Sequence, residues 1–298
     1  MKKLSHNFTS TLFIIALLAG ILCYTNDALA QTGSKNQTTK AQQNHNLKSY
    51  KEIMSELYKN KELGMNELIT KAALMRLETP YVANTLERGD KEELYVNIHE
   101  TDCILFVESC LALAQTAKSG DTTYTNFCKK IQELRYRNGE VDGYPSRIHY
   151  TSEWLLQAEK EGKLSEQSKE IANTPLNQKF SFMTEKSDRY KHLKGNAANI
   201  AKIKKAEDYL NAHEYWYIPN DQIAKHAHKM QTGDIFGFCT STKGLDLSHV
   251  GIVYWDNGRL TFIHASYGAM KVVIETKTLE EYAKSSKSTI GIRVARAK

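Results

Sequence analysis

The chain has 298 residues, 41% hydrophobic and 25% charged, with 40 lysines and arginines against 34 acidic residues and a formal charge of +6. That length fits one large domain or a core carrying a sizeable insertion. Lysines are mixed with glutamates rather than clustered, which excludes the basic patch of a nucleic-acid partner, and so mild a charge serves solubility equally well.

Residues 1–30 read as an export signal and not as part of the fold. Lys2 and Lys3 form a basic start, residues 12–22 an apolar run, and Ala28-Leu29-Ala30 a small-x-small cleavage site. The run is too short for a membrane span, and Leu22 before Cys23 is bulkier than a lipid-attachment site wants. The expectation is export with cleavage after Ala30 and no stable membrane insertion. Residues 31–47 are almost wholly polar and read as a flexible tether, leaving residues 48–298 as the folded domain.

In chain order, residues 48–61 and 66–77 carry apolar side chains at helical offsets. Pro80 ends the second helix and begins an exposed-looking turn segment over residues 81–90. A third helix starts at Cys103. Thr101 and Asp102 before it are good N-cap types, Gly120 is the stop, and no capping box is present. Residues 124–134 and 154–161 are further helices, separated by a loop containing Tyr144, Pro145, Arg147, His149 and Tyr150. Beyond about residue 175 helices thin out. Strands are expected over residues 234–238, 248–255, 260–265, 271–275 and 289–295, close enough to form an antiparallel sheet. Helices first and sheet second make an α+β domain.

Cys103 falls in the first helical turn, where orphan N–H groups favour a thiolate, and polar residues precede it. It is the candidate nucleophile, whereas Cys110 on the same helix reads as a small buried hydrophobe. No CxxC pair is present, so zinc and redox motifs are not indicated. Cys103 and Cys110 stand about 10 Å apart along a helix axis, too far to bridge. A disulfide among Cys110, Cys128 and Cys239 stays open.

Asn257-Gly258 signals a two-residue type I′ hairpin. That turn pairs Asp256 with Arg259, Tyr254 with Thr261 and His249 with Ser266. His264 has the parity of Ser266, so His249 and His264 share a face as diagonal neighbours, Cα atoms about 7–8 Å apart. His249 can take a proton from a cysteine nucleophile, and His264 can orient it. No carboxylate or third histidine accompanies them at metal spacing, so no metal is expected; His226 and His228 read as solvated surface.

Asp102-Cys103, Gly233-Asp234-Ile235, Ser248-His249-Val250-Gly251-Ile252 and Phe262-Ile263-His264-Ala265-Ser266, in this order, resemble the NlpC-type papain-like cell-wall hydrolases. Residues 81–87, Phe106-Val107-Glu108 and Arg147-Ile148-His149-Tyr150 resemble one branch, the N-acetylmuramoyl-L-alanine amidase-like family of exported Gram-negative proteins. The resemblance implies a papain-like α+β fold and a periplasmic hydrolase of peptidoglycan fragments, acting through a thioester. It makes Cys103 the nucleophile, His249 the base and His264 the third polar member. Tyr81 would help the Cys103 N–H to frame the oxyanion, and Arg147, His149 and Tyr150 would contact a muropeptide's carboxylates and amides. No cofactor is called for, and a monomer is expected. Ile104 and Leu105 replace the Ser and Gly that follow many such nucleophiles, and Asn84 stands where a Gly is expected. An insertion occupies part of residues 120–217. The alternatives are a γ-D-glutamyl endopeptidase or transferase on the same triad, and an inactive wall-binding module.

Overall fold

The first helix begins before apolar periodicity does. In the computed structural model, which describes residues 40–298 and side chains from His45 onward, α1 runs Lys40–Lys59. The expected export signal and the first part of the tether lie outside the described residues. The rest of the tether is helical. Asn46 is buried, its Oδ1 accepting the Ile98 N–H at 3.1 Å and its Nδ2 donating to Val96 O at 3.3 Å. One amide satisfying two buried backbone groups docks this polar turn without hydrophobic periodicity, which is why the pattern did not reveal it.

α2 (Met65–Leu74) buries Leu68, Ile69, Ala72 and Ala73 against α3 (Cys103–Ser119). α3 is the central helix: Phe106, Val107, Cys110, Leu111, Ala112, Leu113 and Ala114 are all fully buried, so it is covered almost all round. Asp102 starts it by accepting the Leu105 N–H at 2.9 Å, and Gly120 ends it at φ 80°. α4 (Tyr124–Arg135) and α5 (Thr151–Lys160) follow. The segment after Pro80 is not the exposed turn expected of it. Pro80 bridges Lys271, Tyr81 bridges Thr101, and Tyr81 and Thr85 are buried. Asn84 adopts φ 59°, a left-handed conformation that Asn tolerates.

The sheet is larger than the five expected strands. β1 (Leu164–Glu166), β2 (Thr174–Pro175) and β3 (Trp216–Pro219) precede β4 (Ile235–Thr240), β5 (Leu247–Asp256), β6 (Arg259–Ser266), β7 (Lys271–Ile274) and β8 (Thr289–Ala297). They order as β2-β3-β8-β4-β5-β6-β7, with β1 on β8 and every pairing antiparallel. Nor do helices thin out. α6 (Ser168–Ala172), α7 (Phe182–Glu185), α8 (Ala197–Asn211), α9 (Ile223–His226) and α10 (Leu279–Ser285) lie among the strands. In α8 a narrow stripe of Ile203, Ala206 and Leu210 is buried beside Glu207, diluted in sequence by Lys204, Lys205, Glu207 and Asp208.

Alternation along the strands divides the interior in two. Ile235, Cys239, Val250, Ile252, Ile263, Ala265 and Ala295 join the helical core of α1–α5. Phe236, Phe238, Val253, Phe262, Ile292 and Val294 face the other way, onto Leu279 and Ala283 of α10. The site lies where α3 begins beside β5.

Candidate active site

By capping Leu105, Asp102 places Cys103 in the first turn of α3, 8% exposed. The N–H groups of Val250, Ile104 and Cys103 itself favour its thiolate. Burial outweighs them, the Asp102 carboxylate adds to it, and the thiol is pushed up to about 12. Burial in this first turn thus opposes the thiolate that helix position favours.

The hairpin has the expected register next to its turn, though the ladder ends before His249 and Ser266. Ile252 pairs with Ile263 through to Asp256 with Arg259, and Asn257 and Gly258 take φ 49° and 81°. His249 and His264 share a face: His249 Nε2 lies 2.7 Å from His264 Nδ1, with the rings nearly perpendicular. A bulge in β5 at Ser248 lets Leu247 join the helical core while His249 stacks on Phe238. Both imidazoles are neutral. Burial lowers His249 well below the usual histidine range and the facing His264 lowers it further; burial lowers His264 against the pull of Glu275.

Sequence reasoning missed Glu275. Its Oε2 lies 3.5 Å from His264 Nε2, while its Oε1 accepts the N–H groups of Thr276 at 2.8 Å and Lys277 at 3.0 Å. His264, the Lys277 N–H and the Thr276 hydroxyl lower its carboxyl to about 2. Glu275 N donates to Phe262 O, which sets it on the histidine face. The only sequence signal was an acid at a strand end. The loop between β6 and β7 leaves the register undetermined, so its face could not be read.

Cys103 and His249 open on a groove of about 470 Å³, and Tyr81, Arg147, His149 and Tyr150 all line it. Tyr81 lies near Cys103 and Asp102, edge-on to Tyr267, and burial keeps its phenol protonated, a hydrogen-bond donor. The other three have polar atoms already engaged. Arg147 pairs with Glu87 at 2.5 Å and Glu92 at 3.0 Å. Tyr150 donates to Glu207 at 2.8 Å and accepts the Met183 N–H at 3.0 Å. His149 Nε2 contacts Tyr144 O at 3.0 Å, and burial holds the ring neutral. Arg135, deeper in the wall, is held by Glu108 at 2.5 Å. Arg189, exposed on the groove rim, has no acidic partner among the described residues. Among those residues no three histidine, cysteine or acidic side chains converge as a metal site, and the four cysteines are free.

Residues 71–292 match the AmiA-like, N-acetylmuramoyl-L-alanine amidase-like family. The chain belongs to that family. A Bacteroides uniformis structure named as an N-acetylmuramoyl-L-alanine amidase is 33% identical, with a TM-score of 0.75 over 78% of this chain and 99% of its own. A Bacteroides fragilis structure carrying a provisional xylanase name is 37% identical, with a TM-score of 0.72 over 76% and 98%. A Legionella pneumophila structure, 20% identical with a TM-score of 0.62 over 86% and 96%, shares the fold. No curated protein matches the chain. The family member thus has a mixed α+β fold and is amidase-like. No helix among the described residues is long and apolar enough to cross a membrane.

Proposed function

We propose that this protein hydrolyses the amide between N-acetylmuramic acid and L-alanine in peptidoglycan fragments, through a thioester on Cys103 and with papain-like chemistry. The observation that carries it is the groove shared by Cys103 and His249, with His264 bonded behind the imidazole at 2.7 Å. Cys103 Sγ attacks the muramoyl carbonyl carbon while His249 accepts the thiol proton. That proton passes to the alanine nitrogen as the C–N bond breaks, releasing the peptide and leaving a muramoyl thioester. Water, deprotonated by His249, then adds to the thioester; the C–S bond breaks, the muramoyl carboxylic acid leaves and the sulphur regains a proton.

In this reading the Cys103 N–H and the Tyr81 hydroxyl, both on the groove, donate to the oxyanion. Tyr81, Arg147, His149 and Tyr150 form the substrate-facing wall, and Arg189 receives a stem-peptide carboxylate, because Arg135 and Arg147 are already neutralised by acids. A glycosidase reading needs two available carboxyls astride the substrate. Glu87 and Glu108 of the groove are ion-paired, and Asp102 caps α3. The export signal read over residues 1–30 fits a periplasmic enzyme acting on wall fragments.

Digestion of a purified muropeptide alongside its sugar-free stem peptide tests the reading. Release of an L-Ala-led peptide from the muropeptide alone is expected. Cutting of the sugar-free peptide places the scissile bond inside the stem, as in a γ-D-glutamyl endopeptidase, and no cutting of either makes the protein a wall-binding module.

A further inference from the structure

We propose that Glu275 is a positioning residue that selects the tautomers of both histidines, leaving His249 Nδ1 as the proton acceptor. The inference rests on the cysteine-hydrolase reading above and deepens it.

Two neutral imidazoles joined by one hydrogen bond have two concerted arrangements. In the first, His249 Nε2–H donates to His264 Nδ1, His264 carries its own proton on Nε2, and His249 Nδ1 presents a lone pair. In the second, His264 Nδ1–H donates to His249 Nε2, which moves the His249 proton to Nδ1 and leaves no base for the thiol. The 2.7 Å contact is compatible with both. What stands at the far end of His264 decides between them.

That far end is Nε2 of a fully buried ring, with no hydrogen-bond partner among the described residues. Glu275 Oε2, 3.5 Å away, is the group it faces. The carboxylate is anchored. Its Oε1 is held by the Thr276 and Lys277 N–H groups, and Thr261 Oγ1 donates to Glu275 O at 2.7 Å and Lys277 O at 2.9 Å. A lone pair on Nε2 would be repelled by that anion, whereas an N–H is attracted to it. Phe262 and the Tyr282 ring enclose His264 from β6 and α10, so the imidazole end of the contact is shielded from water. The first arrangement is selected. When Cys103 gives its proton to Nδ1, His249 becomes an imidazolium whose Nε2–H still donates to His264. Passing that proton to the leaving amine restores the starting tautomers. Glu275 touches neither substrate nor sulphur.

The test reads tautomers and turnover separately. In protein labelled with ¹⁵N-histidine, long-range ¹H–¹⁵N spectra report which nitrogen of each ring is protonated. Both His249 and His264 are expected as Nε2–H tautomers. Glu275→Gln is the informative variant because it keeps the side chain's size. The Thr276 and Lys277 N–H groups will hold its amide oxygen, turning the NH₂ toward His264 Nε2, which must then accept. Both rings are expected to switch together to Nδ1–H, with kcat falling about 10–100-fold and KM little changed. Glu275→Ala, which removes the selector without supplying a donor, is expected to give a mixture and a smaller fall. Wild-type His264 protonated on Nδ1, or Glu275→Gln with unchanged tautomers and kcat, overturns the proposal. Those results, with turnover still abolished in Cys103→Ala and His249→Ala, leave the cysteine-hydrolase reading standing. Turnover surviving in Cys103→Ala removes that reading instead.

Discussion

Cys103 and Cys110 sit on one helix, and burial pushes both thiols up to about 12. Their neighbours separate them. Cys103 meets the groove and the Val250 N–H, whereas Cys110 is fully enclosed beside the Arg76 guanidinium. Cys103→Ala is expected to lower turnover by at least ~10³-fold with an unchanged melting temperature, and Cys110→Ala to keep turnover. Equal losses from both would remove Cys103 from its role. The base gives a second test. Burial depresses His249 below its ordinary 6.5, so the folded protein holds fewer protons there than the unfolded chain. Activity therefore persists below pH 6.5 and is lost as pH falls through the depressed value, whereas this contribution to stability is complete above 6.5 and declines as pH falls from 6.5 to that value. An acid limb of kcat/KM centred above 6.5 contradicts a buried neutral base. The arginines divide likewise. Arg147→Ala strands Glu87 and Glu92 and is expected to cost about 3–5 kcal/mol in denaturant unfolding. Arg189→Ala is expected to raise KM about 3–10-fold with unchanged stability, since an exposed charge-assisted bond is modest. The reverse pattern moves the carboxylate site to Arg147. None of these pairings was legible in sequence, because Glu87 and Arg147 are brought together by the whole fold and not by local spacing.

At the scale of elements, the β5–β6 hairpin carries the two histidines, and it was readable because Asn257-Gly258 leaves one register. The start of α3 was readable for a similar reason: Asp102 is a strong cap and an apolar run follows. Gly251 is the hairpin's weak point. A Cβ there would stand 2.9 Å from the Phe236 ring and 3.1 Å from Ile263 O, and a backbone oxygen cannot swing away. Gly251→Ala is therefore expected to push β5 from β6 between the histidines, costing about 1–3 kcal/mol and reducing kcat more than it raises KM. A variant with wild-type stability and kcat shows that the strand pair tolerates the shift. The β6–β7 loop was the opposite case. It carries no turn signal that fixes a register, so Glu275 could not be assigned a face.

For the molecule as a whole, the α+β class and five of the strands follow from alternation and turn chemistry, and β4–β8 are those strands. β1, β2 and β3, at two to four residues, are too short to show a period; β1 and β3 form on the edge that β8 offers, and β2 on β3. The helical start of α1 depends on Asn46 meeting Ile98, a contact across the fold. The segment between α4 and α9 supplies Tyr144, Arg147, Tyr150 and Arg189 to the groove, whereas Cys103 and His249 reach it from α3 and β5. The central claim is that a muramoyl group, and no part of the peptide, becomes bonded to Cys103. Acid quenching during turnover of a defined muropeptide, followed by intact-mass analysis, tests it most directly. A covalent adduct with the mass of the muramoyl sugar, absent in Cys103→Ala, is the expected result. Product formation with an adduct of peptide mass, or with no adduct at all, would contradict it.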